Sequence, residues 1–232
     1  MNYLKTDKDF KVMIKYHNDM NVVAFKKFNQ RELNIFFSIC AFMKDKGDST
    51  ITFSYDEIKQ MANLNVPTNQ VFEELLESTY DKLLQLKIGY VNKDIVEKFI
   101  LFTGYKINKN DKMVDITINA QYQYILNELS KNFTVFELQE FNALVSSYSK
   151  NMFRLLKQYK STGFYKVSIE EFRRLLDIPE SYNMSKISVK VIDPIEKELS
   201  NYFEEFRVEK LKVGRFIKFL QFSFKPQHYK DN

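Results

Sequence analysis

The chain has 232 residues, 44% of them apolar, 16% aromatic and 28% charged. That is enough to pack one large or two small cores, and it excludes long disordered stretches. A single cysteine, Cys40, excludes an internal disulfide, and no run approaches the roughly 18 apolar residues of a membrane span. The opening residues mix Lys, Asp and Asn without a signal-peptide pattern, so a cytoplasmic protein with no membrane partner is expected. The net charge of +5 lies wholly in residues 130–232, where 18 Lys and Arg face 13 Asp and Glu; residues 1–129 balance at 17 of each. A polyanion is drawn chiefly to the second half.

In chain order, an amphipathic helix is predicted over Asn29–Lys44, ending near Gly47. A short strand then runs into a short helix over Thr52–Leu64, and Pro67 marks a turn. A longer helix follows over about Thr68–Lys87, and alternating strands come at Ile88–Val91, Phe99–Lys106 and Met113–Asn119. One helical pattern ends and another begins near Leu129–Phe133. The second half repeats the order: a helix over Tyr148–Ser161 ending near Gly163, a strand and helix over Lys166–Ile178, and a turn at Pro179. A helix over about Met184–Ser200 comes next, then strands Phe203–Lys212 and Arg215–Phe224 around a tight turn at Val213-Gly214.

The segment Thr52–Leu64 aligns without gaps on Lys166–Ile178, and both carry Ser-x-x-Glu (Ser54 with Glu57, Ser168 with Glu171). That is a capping box, which starts a helix by satisfying its free amides from both sides. Helix, strand, helix, turn, helix, hairpin is the order of a winged helix. The fold class is therefore α+β, with two tandem winged-helix domains over residues 1–130 and 131–232.

In a helix-turn-helix the helix after the turn reads the major groove. In the second half, Met184, Ile187, Val191, Ile195 and Leu199 share one helical face, while Lys186, Val189, Lys190, Asp193 and Lys197 share the other. The segment Asn183–Lys190 is the expected reading element: Asn183 and Ser185 at its start, Lys186 and Lys190 toward phosphate or guanine, and Val189 toward a thymine methyl. At Pro194 either the helix kinks, or Asp193 caps a new helix with proline at its first position. The wing adds Lys210, Lys212, Arg215 and Lys218. A third basic stripe, Lys150, Arg154 and Lys157, lies opposite Met152, Leu155, Leu156 and Tyr159. With Ser146, Ser147 and Ser149 at the helix start, it is expected to face outward and bind phosphate.

The matching helix of the first half is acidic outside, with Glu73, Glu74, Glu77 and Asp81. Its DNA contact is expected only at the tip (Thr68, Asn69, Gln70) or on the wing (Asn92, Lys93, Lys98, Lys106, Lys109, Lys112). The first domain is thus expected to serve chiefly for interaction.

Catalysis is not expected. The two histidines, His17 and His228, cannot form a His–hydrophobic–His metal site, a zinc ligand set is missing, and so is a phosphate-binding glycine loop. No cofactor is implied.

The runs Phe133–Leu138, Ser147–Tyr159, Gly163-Phe164-Tyr165 and Ile169–Leu176 resemble the initiator replication (Rep) proteins of iteron plasmids, and most closely those of Gram-positive theta-replicating plasmids. The resemblance runs from about Asn21 to Phe224. It implies two winged-helix domains that bind repeated origin DNA (iterons) as double-stranded DNA and help open the origin. It further implies a homodimer through the N-terminal domain that represses its own gene, recruitment of the host replication initiator and helicase, and no enzymatic step. Asn151 departs from the pattern, which favours a basic residue there. A winged-helix transcription repressor and a DNA-nicking replication enzyme are the alternative readings.

Overall fold

The computed structural model describes residues 11–47, 49–91, 94 and 96–227. Strand β1 (Met13–His17) opens the chain and leads through a 3₁₀ turn (Asn18–Val22) to helix α1 (Gln30–Met43). Asn29 and Glu32 form a capping box at the start of α1. The helix is buried almost all round, as expected of one at the centre of a fold. Strand β2 (Thr50–Ser54) runs into α2 (Tyr55–Met61) through the Ser54–Glu57 capping box, and Thr68 caps α3 (Asn69–Gln85).

Among the described residues, strands β3 (Ile88–Val91) and β4 (Val96–Phe99) pair only with each other. Strands β5 (Phe102–Asn108) and β6 (Met113–Ile118) form the wing, and with β2 they make a sheet of order β2-β6-β5. Ile88–Val91 thus stands apart from the wing sheet, in a hairpin of its own.

In the second half, β7 (Phe133–Glu137) is followed by α4 (Leu138–Ala143) and α5 (Ser147–Gln158). Gly163 turns the chain with φ +65 into β8 (Phe164–Ser168); a Cβ there would lie 2.3 Å from the Phe224 carbonyl oxygen, which leaves room for glycine alone. Helix α6 (Ile169–Leu176) follows, capped by Ser168. Then come α7 (Met184–Ile187), a π turn (Ser188–Ile192) and α8 (Asp193–Leu199). Strands β9 (Arg207–Val213) and β10 (Phe216–Ser223) complete a sheet of order β8-β10-β9, which repeats the topology of the first wing sheet.

The backbone stays helical through Ser188–Ile192 and Asp193, and Ile192 at the α8 cap position receives no side-chain bond. Pro194 removes one amide from the ladder, and a widened π turn just before it absorbs the misfit. Asp193 does not restart the helix as a cap.

The two halves share one apolar core. Strand β1 pairs antiparallel with β7, Met13 opposite Glu137 and His17 opposite Phe133, so the start of the chain is sewn to the segment after residue 130. Helix α1 packs on both α4 and α5. Cys40 is fully buried, and burial pushes its thiol pKa up.

Candidate nucleic-acid interface

The second helix-turn-helix sets out the segment Asn183–Lys190 on an apolar base. Ile187, Val191, Ile195 and Leu199 are buried and Met184 is half-buried, while Asn183, Ser185, Lys186, Val189 and Lys190 are exposed, Val189 by 60%. The Asn183 side chain accepts from the Lys186 amide at 3.0 Å and starts the helix. The turn before it is held by Arg173, whose guanidinium donates to the carbonyls of Pro179, at 3.2 Å, and Tyr182. Arg173 is thus a positioning residue that helical phase alone does not reveal, because its partners are backbone oxygens in a turn.

The wing lies against this helix. Lys210 Nζ donates to Ser188 Oγ at 2.8 Å. Lys210, Lys212 and Arg215 are exposed, and the Lys210–Ser188 bond sets one wing cation beside the helix segment that carries Lys186 and Lys190. Lys218, also exposed, stands 4.0 Å from Glu170.

The third basic stripe is not on the surface. Ser149, Lys150 and Arg154 are fully buried, and Lys157 nearly so. Helix α5 packs on the 3₁₀ turn, α1, β7, α6 and α8, and Ser149–Lys157 are all buried. Arg154 donates to the carbonyls of Met20 at 3.0 Å and Val23 at 2.6 Å, and to Asn21 Oδ1 at 3.2 Å. Its Nε donates to Asn151 Oδ1 at 3.1 Å. Burial lowers its pKa to about 10, against the Tyr16 hydroxyl, which raises it. Asn151, the departure from the family pattern, is therefore an internal partner of Arg154.

Lys150 donates to the Phe141 carbonyl, and burial lowers its pKa to about 7 while Glu198 acts in the opposite sense. Lys157 pairs with Glu140 at 3.1 Å. The start of α5, expected to receive a phosphate oxygen, already holds a carboxylate: Glu198 accepts from the amides of Val145 at 2.8 Å and Ser146 at 3.2 Å. Ser147 is half-buried, and its carbonyl accepts from Asn151 at 3.0 Å. The phosphate role expected for Ser149, Lys150, Arg154 and Lys157 is corrected accordingly. Arg154 is held by the first half, across more than 130 residues of sequence, whereas Lys150 and Lys157 are held by Phe141 and Glu140 nearby.

On the acidic face of the first helix-turn-helix, Glu74, Glu77 and Asp81 are exposed, whereas Glu73, expected outside with them, is turned in toward Tyr55. Glu73 accepts from the Tyr55 hydroxyl at 3.1 Å, and Glu77 pairs with Lys109 of the wing at 2.8 Å. The Tyr55 pKa is pushed up to about 12, by burial first and then by Glu73. Lys109 is thus spent on an internal pair. At the helix tip Thr68 and Gln70 are exposed, while Asn69 is half-buried and accepts from Lys59 at 2.9 Å. Lys98, Lys106 and Lys112 are exposed. Asn92, Lys93 and His228 lie outside the described residues. Among the described residues no cluster of His, Cys, Asp and Glu could hold a metal ion, and no helix is long and apolar enough to cross a membrane.

Residues 13–157 match the family model described as Initiator Replication protein, WH1, and residues 168–224 match the one described as Initiator Rep protein, WH2. The chain is 32% identical over 190 residues to a "Probable replication protein rep" of Bifidobacterium longum (strain NCC 2705), covering 80% of this chain and 64% of that protein. It therefore spans a little under two thirds of the length of this relative. Its fold is similar to that of the Pi initiator protein, solved in complex with iteron DNA. The TM-score is 0.69 at 16% identity, over 92% of this chain and 97% of that one.

Proposed function

This chain belongs to the initiator replication protein family, and on that premise we propose that it initiates replication of a plasmid by binding repeated double-stranded DNA at the origin and helping to open it. The observation that carries the reading is the exposed pair Lys186 and Lys190 on the helix after the turn, set beside Lys210 of the wing through Ser188. Cations in this arrangement reach phosphates and guanine edges of one major groove, while Asn183, Ser185 and Val189 supply polar and methyl contacts. Lys212 and Arg215 extend the surface toward the flanking backbone.

In this reading the division of duty falls near residue 130. The segment 131–232 carries the main DNA contact. The segment 1–130 serves homodimerisation, with a minor DNA contact from Thr68, Asn69 and Gln70; the acidic face of α3 supports a protein-facing rather than a DNA-facing role. Ser147, half-buried at the start of α5, keeps at most a peripheral contact. Autorepression by the dimer, recruitment of a host initiator and helicase, a cytoplasmic setting and the absence of a catalytic step belong to the same reading and follow the family resemblance.

The test is binding to the DNA that flanks the gene, titrated with salt. Six to ten phosphate contacts weaken binding by about 10³–10⁵ between 50 and 200 mM salt. Salt-independent binding, or no binding to any repeat there, overturns the proposal. A plasmid-maintenance assay separates initiation from repression alone.

A further inference from the structure

The turn of the second wing carries two large apolar side chains in the open. Val213 and Phe216 face each other across Gly214-Arg215 and are 60% and 59% exposed. Gly214 has φ +61, and a Cβ there would meet nothing within 4 Å, so the tip stands clear of the body of the domain. The positive φ at the first turn position suits a tight hairpin. Lys212 and Arg215 adjoin the apolar pair in sequence and Lys218 lies two residues beyond Phe216, all three exposed. The Arg215 guanidinium stacks over the Phe216 ring at 5.2 Å, holding charge and ring in one place. An apolar edge within a cationic rim complements a polyanion with an apolar interior, which describes duplex DNA.

The reach fits as well. Lys210 is fixed to the reading helix through Ser188. Four residue steps lead from Lys210 to Gly214, about 13 Å of extended chain. Half a helical repeat of DNA, about 17 Å, separates the centre of a major groove from that of the next minor groove. With its side chains, the tip spans the intervening backbone.

We infer that Phe216, backed by Val213, is an apolar wedge that enters the minor groove beside the segment read by α7 and unstacks one base step there. The inference rests on the DNA-binding reading above. Lys212 and Arg215 engage the phosphates on either side of the step. A wedge of this kind kinks the duplex and favours easily unstacked pyrimidine–purine steps. It therefore selects sequence at a position that no hydrogen bond reads, and it starts the distortion that opening requires.

The probe is a duplex of about 30 base pairs recovered by the full-length protein from a random pool, with 2-aminopurine substituted at each position in turn. The wild type should raise fluorescence at one step outside the major-groove motif. Phe216→Ala should abolish that rise and weaken binding about tenfold, with an unchanged thermal midpoint because the side chain is exposed. Phe216→Leu should restore part of the signal. A wild-type complex in which every step stays stacked, or a Phe216→Ala complex that keeps the rise, overturns the wedge while leaving the DNA-binding reading intact. Loss of self-association in Phe216→Ala without change in the DNA signal assigns the tip to a protein contact and also overturns it. Recovery of no duplex by the wild type overturns both.

Discussion

Two helices of the second half look alike on a helical wheel and have opposite fates. Both α5 and the helix begun by α7 set lysines or an arginine opposite an apolar stripe. Lys186 and Lys190 are exposed, whereas Lys150 and Arg154 are wholly buried. The difference is the number of layers that pack on each helix. The α7 segment has core on one side only. Helix α5 packs on β7, α6 and α8 and also on the 3₁₀ turn and α1 of the first half. A cationic stripe thus marks a solvent face only where nothing else packs on it. Where a second layer arrives, the same side chains become links, here from Arg154 to the carbonyls of Met20 and Val23.

The contrast is open to measurement. The largest effect is expected at Arg154. Arg154→Ala leaves two backbone carbonyls and Asn21 short of donors and opens a cavity between the halves, at a cost on the order of 3–5 kcal/mol. Lys186→Ala should stay within about 0.5 kcal/mol of the wild type. Urea unfolding of both variants checks this, and equal stability would erase the distinction between the helices.

Next is the pH dependence set by Lys150. Its pKa is lowered to about 7 by burial, so between pH 7 and about 10.5 the unfolded chain binds a proton that the folded chain does not. Stability from this group therefore rises with pH across that window, and below pH 7 the full penalty of a buried ammonium remains. The gain is on the order of 2–4 kcal/mol. Lys150→Met should flatten the rise and stabilise the protein at pH 6, read by urea midpoints at pH 6, 8 and 9.5.

Lys186→Ala with Lys190→Ala should weaken DNA binding by about 10- to 100-fold and lower the salt slope by about two. Anisotropy titrations at several salt concentrations measure both. The smallest effect is expected from Glu73→Ala with Glu77→Ala, which should leave DNA binding unweakened. If this pair proves worse than the lysine pair, the duties of the two helix-turn-helix units are reversed.

Much of the fold was legible because its signals are local. The Ser54–Glu57 capping box starts α2 where expected, and Ser168 caps α6, although there Glu171 turns to Arg174 instead of reaching back to the Ser168 amide. Gly163 turns the chain after α5, and the Ile187–Leu199 face is the buried one. The exposure of Asn183, Ser185, Lys186, Val189 and Lys190 was legible for the same reason, since helical phase follows from spacing alone. The exposure of Phe216 was not legible, because an aromatic residue in an alternating strand reads as core until the strand end is seen to leave the body. Strand β1 and helix α4 lacked a strong local signature, and the β3–β4 pairing competed with an equally plausible three-strand alternation.

The order of elements, their caps and the outward lysines of α7 are properties of short stretches, set by backbone hydrogen bonding and by helical periodicity within a few turns. The sequence determined these unaided. Which of its two basic stripes meets solvent depends on chain segments more than 130 residues apart, as in the bonds from Arg154 to Met20 and Val23. Burial is a relation between distant surfaces, and only the tertiary structure decided it.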